Sequence, residues 1–121
     1  GSSAYFKACC VAYSNEVKIK ELGVDAYILE KYGAVSRQVV ESMALSVMKK
    51  YGGSYGIATS GIAGPGGGSP GKPVGTVWIA VASDKKVFSH KYNFGEHRGR
   101  TIDRSSITAL NLLRKMILDI L

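Results

Sequence analysis

The sequence predicts an α/β domain in which helices cover a mixed β-sheet. Short apolar runs typical of buried strands alternate with segments of helical periodicity. A long helical stretch lies between the first two predicted strands, which favours a parallel arrangement of that pair. Two later strands flank a short turn at Asp84 and Lys85, which predicts an antiparallel hairpin. Together these observations predict a sheet with both kinds of pairing.

Length and composition favour one globular domain over residues 1–121. A chain of 121 residues has the size of a single domain, and an apolar fraction of 45% excludes a disordered chain. No apolar run approaches the roughly 18 residues of a membrane helix. Residues 1–20 also lack the basic start and apolar core of a secretion signal. We therefore expect a cytoplasmic domain with no membrane partner.

The first strand and helix are predicted near the start of the chain. Residues 5–13 form a largely apolar run, which predicts a mostly buried strand. Either Ser14 or Asn15 is a suitable N-cap, and Gly23 is a suitable stop. A short helix is therefore expected over residues 15–22.

Two further helices are predicted before the second strand. The first runs from Asp25 to Tyr32 and ends at Gly33. The next begins at Ser36 and ends before Gly52. Its apolar residues recur at spacings of three and four positions, which places them on one helix face: Val40, Met43, Ala44, Val47 and Tyr51.

The second half of the chain predicts three strands and a long helix. The strands are expected over residues 55–60, 74–83 and 86–94, the last two forming the hairpin. The final helix is expected over residues 101–121. The residues predicted on its apolar face are Ala109, Leu110, Leu113, Ile117 and Ile120.

The two cysteines, Cys9 and Cys10, are neighbours in the first apolar run. Adjacent residues of a strand point to opposite faces, so a disulfide between them is not expected. Two thiols without a nearby histidine or further cysteines do not form a zinc site. We interpret them as two small buried side chains, and we predict no metal site and no cofactor.

The net charge of +7 is concentrated in the second half of the chain. Residues 1–60 carry seven basic and five acidic residues, whereas residues 61–121 carry nine and four. Few aromatic residues accompany the basic ones, and no helix carries a continuous basic stripe, so nucleic-acid binding is not favoured. A solvated basic face and a site for a small anion both remain open.

Two strand-to-loop junctions are the candidate site. One includes Tyr13, Ser14 and Asn15, and the other begins at Thr59 and Ser60. In open α/β sheets, ligands bind beyond the carboxyl ends of strands, so both junctions are expected to open onto one crevice. The two hydroxyl groups of the second junction could act as donors to a ligand.

The second junction continues into a glycine-rich loop, with six glycines among residues 61–71. Glycine lets backbone N–H groups face an anion without hindrance from a Cβ atom. The positions selected on this ground are Gly61, Gly64, Gly66 and Gly67. A flexible surface loop is the alternative interpretation. The later run Gly66–Pro73 is close to the P-loop sequence pattern. However, Pro73 replaces the required hydroxyl residue, and a strand rather than a helix is predicted after it, which excludes a nucleoside triphosphatase.

Lys18 is the one titratable residue singled out in the first junction. It falls in the first turn of a predicted helix, where it could bind an anion, or act as a base if its pKa were lowered. A solvent-exposed lysine is the alternative. His90 is predicted on the surface, and His97 beside Arg98 could approach a ligand, but no catalytic triad is evident.

These residues resemble the C-terminal domain family of the competence/damage-inducible protein CinA, which includes stand-alone nicotinamide-nucleotide amidohydrolases. The resemblance covers almost the whole chain in order. The matching stretches are Gly1–Phe6, Val11–Lys18, Leu22–Val24, Tyr32–Ser36, Thr59–Gly68 and Lys72–Trp78.

The resemblance implies a three-layer α/β/α domain that hydrolyses the carboxamide of nicotinamide mononucleotide to give nicotinate mononucleotide and ammonia. Tyr13 and Lys18 match the Tyr-Ser-Asn-x-x-Lys motif, which implies a catalytic role for both. The resemblance also implies that Ser60, the glycine loop and Arg98 bind substrate. Arg98 is the weaker match, because the segment around it is one residue longer than in the family.

One family feature is absent from residues 1–121. The resemblance places the nucleophilic hydroxyl in an N-terminal Glu-Ser-Cys-Thr-Gly-Gly segment, and we expect the family's first strand and helix to lie before Gly1. Two functions therefore stay open, an amidohydrolase and a non-catalytic nucleotide-binding module of the same fold. Nucleic-acid binding is a third and weaker alternative, and homo-oligomerisation stays open.

Overall fold

The computed structural model describes residues 1–121 and contains one antiparallel sheet of three strands. The strands are β1 (Tyr55–Gly61), β2 (Thr76–Ser83) and β3 (Val87–Asn93), and they lie in the order β1-β2-β3. Central strand β2 is buried over most of its length because it is paired on both sides and covered on both faces.

Four α-helices cover the sheet: α1 (Asn15–Leu22), α2 (Ala26–Tyr32), α3 (Arg37–Lys50) and α4 (Arg98–Ile117). Helix α3 packs on the sheet with α1 and α2 beside it, and α4 packs on the opposite face. The predicted α/β class with three layers is therefore confirmed. None of the helices combines the length and apolar character required to cross a bilayer.

The helix starts follow the predicted capping chemistry. The side chains of Ser14, Asp25 and Ser36 each accept a backbone N–H from the first turn of α1, α2 and α3. Gly23 ends α1 with a φ of 61°, a left-handed conformation that favours glycine. These short-range signals explain why the three helices begin and end where the sequence predicts.

The two faces of β2 build two separate cores. Val77, Ile79 and Val81 pack against α4, together with Leu112 and Met116 of that helix. On the other face, smaller residues let α3 approach closely: Ala58, Ala80 and Ala82 lie in one cluster with Val40, Met43 and Ala44. The backbone of β1 approaches α3 closely at Gly56, where a Cβ atom would overlap the carbonyl of Ala44.

The predicted strand over residues 5–13 is wrong. Ser2–Ala4 form a 3-10 turn, and residues 6–13 are outside any sheet. The parallel pair expected between this segment and β1 is therefore not formed, and within residues 1–121 the sheet is antiparallel rather than mixed. A strand requires a neighbour for its main-chain groups, and no strand lies beside residues 6–13.

Three smaller predictions are also corrected. Cys9 is exposed and Cys10 is half-buried, so they are not a buried pair, although both thiols are free. Helix α4 begins at Arg98 rather than at residue 101, with the imidazole of His97 accepting the backbone N–H of Arg100 at 3.2 Å. It ends at Ile117 rather than at Leu121.

The face of α4 that meets the sheet also differs from the prediction. It buries Ala109, Leu112 and Met116. Leu110, Ile117 and Ile120, predicted on the buried face, are exposed. Apolar residues occur around much of this helix, so helical periodicity alone does not select the side that packs on the sheet.

Two contacts, an ion pair and a hydrogen bond, define the direction in which residues 6–13 run relative to β1. Lys50 at the end of α3 contacts the carboxylate of Glu21 at 2.9 Å, so α1 ends where α3 ends. Ser60 at the end of β1 donates to the carbonyl of Ala34 at 2.8 Å, which places the end of β1 at the start of α3. Residues 6–13 lead into α1 and therefore run in the same direction as β1, with both carboxyl ends at one edge.

Candidate functional site

Lys18 is a buried lysine with main-chain partners. Only 6% of the residue is exposed. Its Nζ donates to the carbonyl of Ala12 at 2.8 Å and to that of Tyr13 at 3.2 Å. It forms none of the ion pairs in the structure. Burial lowers the pKa of Lys18, because the ammonium has lost water without gaining a carboxylate.

The other residues of the first junction surround the start of α1. The ring of Tyr13 is 91% exposed, and this residue contacts Lys18 through its carbonyl. Ser14 is the N-cap, its hydroxyl accepting the backbone N–H of Val17 at 3.1 Å. Asn15 is the first residue of α1 and is exposed. The exposed ring and amide are available to a ligand, whereas the serine hydroxyl already serves the helix.

The second junction lies at the end of β1. The hydroxyl of Ser60 donates to Ala34, so this side chain ties β1 to the start of α3. Thr59 and Gly61 line a small cavity of about 190 Å³ against α4. A Cβ atom at Gly61 would lie 2.7 Å from a methyl carbon of Val77, so this glycine allows close packing of β1 and β2.

The glycine-rich loop over residues 62–75 is closed at its base and held by cations. Gly75 donates its backbone N–H to Ile62 at 2.7 Å, and its φ of 91° requires glycine. The guanidinium of Arg98 donates to the carbonyl of Gly64 at 2.9 Å. Gly66 and Gly67 lie at the exposed tip of this loop.

Two lysines near the loop were not selected from the sequence. Lys72 donates to the carbonyl of Tyr32 at 2.6 Å, and Lys91 donates to that of Gly71 at 3.3 Å. With Arg98 they place three cations at the loop, and none belongs to an ion pair of the structure. Lys72 belongs to the loop itself, whereas Lys91 and Arg98 follow it in the sequence, and only the fold brings the three charges together.

The small cavity beside the loop is lined partly by hydroxyl residues. Thr59 was selected from the sequence, whereas three residues of α4 were not: Thr101, Ser105 and Ser106. The last two donate their hydroxyls to carbonyls one turn earlier in α4, at 2.6 Å and 3.0 Å. The spacing of these α4 hydroxyl residues, which places them on one side of the helix, was the signal in the sequence that could have identified them.

A larger cavity separates the two junctions. Its volume is about 790 Å³, and it lies between residues 5–10 on one side and residues 53–59 on the other. We refer to it as the β1 slot. Tyr13 and Lys18 follow one wall of this slot, and Ser60 and the glycine loop follow the other. No hydrogen bond joins the two groups, so the structure places them at one edge but does not bring them into contact.

Comparison with known proteins addresses the family directly. A sequence model of the CinA C-terminal domain matches residues 1–117. The chain belongs to the CinA C-terminal domain family. CinA-like proteins of Cytophaga hutchinsonii and Synechocystis are 45% and 48% identical to it, over 99% and 97% of its length. The chain spans about 29% of each of these proteins.

Solved CinA structures share the fold. The competence damage-inducible protein A of Klebsiella pneumoniae superposes with a TM-score of 0.84 at 31% identity, over 89% of this chain and 67% of that one. The competence/damage-inducible protein of Agrobacterium tumefaciens gives a TM-score of 0.81 at 38% identity, over 84% and 62%. About a third of each of these CinA chains therefore lies outside the match.

Proposed function

We propose that this CinA domain forms part of a nicotinamide-nucleotide amidohydrolase. The reaction adds water to the carboxamide of nicotinamide mononucleotide, breaks the C–N bond, and yields nicotinate mononucleotide and ammonia. The family resemblance supplies the substrate and the reaction type. The contribution of residues 1–121 is a buried lysine and a cationic loop at one edge of the sheet.

The environment of Lys18 is the observation that carries this proposal. A base near neutral pH must give up its proton more readily than an ordinary lysine does, and burial lowers the pKa of this one. Its two carbonyl partners hold the Nζ in place without neutralising its charge. Such a lysine can take a proton from an attacking hydroxyl and return it to the leaving ammonia.

The cations at the glycine loop support an anionic substrate. Lys72, Lys91 and Arg98 each use a hydrogen bond to a main-chain carbonyl, which leaves their positive charge without a carboxylate partner. A nucleotide phosphate would supply the negative charge that these cations lack, and backbone N–H groups of the exposed glycines would bind its oxygens. In the same arrangement, those N–H groups could stabilise the oxyanion of the reacting amide.

The alternative is a nucleotide-binding module without catalysis. The hydrogen-bond partners of the Lys18 Nζ are two carbonyls, neither of which is a nucleophile. The amidohydrolase therefore requires a hydroxyl from outside residues 1–121, and the family resemblance assigns it to the Glu-Ser-Cys-Thr-Gly-Gly segment. Without that segment, the loop and its cations would still bind a nucleotide.

Calorimetric titration with nicotinamide mononucleotide, run beside an ammonia-release assay, tests the proposal. Two proteins are compared: residues 1–121, and a chimera in which this chain replaces the matching segment of the Agrobacterium tumefaciens CinA relative. We expect binding without ammonia from residues 1–121, and ammonia release from the chimera. Binding without release by both proteins favours the module. Ammonia release by residues 1–121 contradicts an external nucleophile, and absence of binding by both contradicts both functions.

A further inference from the structure

The smaller cavity lies beside the glycine-rich loop, between the end of β1 and α4. Its volume is about 190 Å³, and its wall combines residues of β1, the loop, β2 and α4. Val77 and Ile102 give it apolar surface. Three further residues contribute hydroxyl groups: Thr59, Ser105 and Ser106. No titratable residue lines this cavity, which we refer to as the hydroxyl cavity.

The α4 hydroxyls have already used their protons inside the helix. The Oγ of Ser105 donates to the carbonyl of Thr101 at 2.6 Å, and the Oγ of Ser106 donates to that of Ile102 at 3.0 Å. A hydroxyl carries one proton, so each oxygen can only accept a further hydrogen bond. The exposed hydroxyl of Thr59, on the β1 side, is able both to donate and to accept. The serine side chains therefore present acceptors to a ligand.

Acceptors without donors select the chemistry of that ligand. A phosphate or a carboxylate requires N–H or O–H donors, which the two serines do not supply. A planar aromatic base would bury the serine oxygens without partners, at a cost in free energy. A sugar supplies hydroxyl protons to the serine oxygens, and the apolar residues of the cavity pack against its carbon atoms. A sugar with adjacent hydroxyls therefore fits the hydroxyl cavity better than an anion or a base does.

The size and position of the hydroxyl cavity agree with the sugar of a nucleotide. Sites for a whole ligand have roughly 300–1,000 Å³, so 190 Å³ holds only part of a nucleotide. Gly61 and Ala63 join the cavity to the glycine-rich loop, and Arg98 lies one turn before Ile102 in α4. The guanidinium of Arg98 donates to Gly64, the residue after Ala63. A phosphate bound at Arg98 and the loop would therefore bring its sugar to the cavity.

We propose that the hydroxyl cavity binds the ribose of the substrate, with Ser105 and Ser106 accepting hydrogen bonds from its 2′- and 3′-hydroxyls. The choice of a nucleotide rests on the proposed function, whereas a phosphorylated ribose would be recognised in the same way without amide hydrolysis. Both serines are then specificity-determining residues, because a sugar that lacks the 2′-hydroxyl leaves a serine oxygen without a donor.

Calorimetric titration of residues 1–121 with nicotinamide mononucleotide and with its 2′-deoxy analogue tests this assignment. We expect the ribonucleotide to bind about 3- to 10-fold more tightly, as the loss of one hydrogen bond implies. In the double variant Ser105→Ala with Ser106→Ala, the two ligands should bind with equal Kd. Alanine favours the helical conformation, so this variant keeps α4, and circular dichroism checks that it is folded.

Ser46→Ala is the matched control. It removes a hydroxyl from α3, which lies on the opposite face of the sheet from α4, and it should keep the full preference for the ribonucleotide. Two results would overturn the proposal. One is equal affinity of the wild type for both ligands, which means that the cavity holds no sugar hydroxyl. The other is a preference that survives in the folded double variant, which means that the 2′-hydroxyl is bound elsewhere.

A second pair of probes applies if nicotinamide mononucleotide does not bind residues 1–121, a result that contradicts the binding expected from the proposed function. Ribose 5-phosphate and 2-deoxyribose 5-phosphate carry the same difference in the sugar and lack the nicotinamide. A preference for ribose 5-phosphate that the double variant loses supports the cavity assignment and contradicts only the nicotinamide part of the substrate. Absence of binding by both sugar phosphates, or equal binding of the two, overturns the cavity assignment as well.

Discussion

The Nζ of Lys18 lies 2.8 Å from the carbonyl oxygen of Ala12, so a charged group of α1 is bound to the end of the segment that precedes it. This contact sets the position of the lysine at the edge where residues 6–13 and β1 both end. Lys18 is therefore a buried cation at the candidate site, and its burial costs desolvation energy.

The pH dependence of stability should reveal that cost. The pKa of Lys18 is lowered by burial in the folded chain, so the unfolded chain holds this proton to higher pH. The free energy of unfolding of the wild type, relative to Lys18→Met, should then increase as pH rises towards 10.5. Urea unfolding of both proteins between pH 7 and pH 10.5 measures it.

The comparison with Lys18→Met also removes the effect of Tyr92. Burial raises the pKa of Tyr92, which lowers stability at high pH in both proteins equally. A difference between wild type and variant that stays constant across this range would show that Lys18 is not desolvated.

Loss of Arg98 should loosen the glycine loop. Arg98→Ala removes the part-buried hydrogen bond to Gly64, which is worth about 1 kcal/mol. Proteolytic cleavage within residues 62–75 should accelerate roughly 5- to 10-fold, as that energy implies. Arg100→Ala is the matched control, because the side chain of Arg100 makes no hydrogen bond and only its backbone N–H does. Equal cleavage rates for the two variants would contradict a role of Arg98 in holding the loop.

Close packing of α3 on β1 predicts a large effect at a small residue. Gly56→Ala would place its methyl group 2.9 Å from the Cβ of Met48 and against the carbonyl of Ala44. The free energy of unfolding should fall by about 1–3 kcal/mol. Gly66→Ala, where no heavy atom lies within 4 Å, should change it by less than about 0.5 kcal/mol. Thermal or urea unfolding measures both, and equal stabilities would contradict this packing.

Elements defined by local chemistry could be predicted from the sequence. Ser14, Asp25 and Ser36 cap their helices through their own side chains, and the hairpin turn needs only its neighbours. The start of α4 was missed because histidine seldom caps a helix, and the imidazole of His97 does so here.

The strand over residues 5–13 could not be judged from its own sequence. An apolar run predicts burial, but a strand also needs a partner in the right place, and the β1 slot occupies that place. The wrong face of α4 has a related origin, since Ile117 lines the slot and Leu110 is exposed rather than packed on the sheet. Both differences concern apolar surface that residues 1–121 do not cover.

The candidate site was predicted in part. Both junctions were expected to open onto one crevice. The structure places them at one edge but separates them by the β1 slot, and the strand over residues 5–13 on which the expectation relied does not form. The carbonyl partners of Lys18, and the lysines at positions 72 and 91, depend on tertiary contacts and had no local pattern. The roles assigned to individual site residues stay predictions.

Ammonia release from nicotinamide mononucleotide by the Agrobacterium tumefaciens chimera tests the central claim most directly when Lys18→Ala is compared with Lys20→Ala. Lys20 is an exposed lysine of the same helix, so its loss controls for charge and for helix composition. The account predicts that Lys18→Ala lowers turnover by about 100- to 10,000-fold, the usual contribution of a general base, in a protein that remains folded. Lys20→Ala should keep wild-type turnover. Equal turnover of the two variants would contradict the assignment of the buried lysine as the catalytic base.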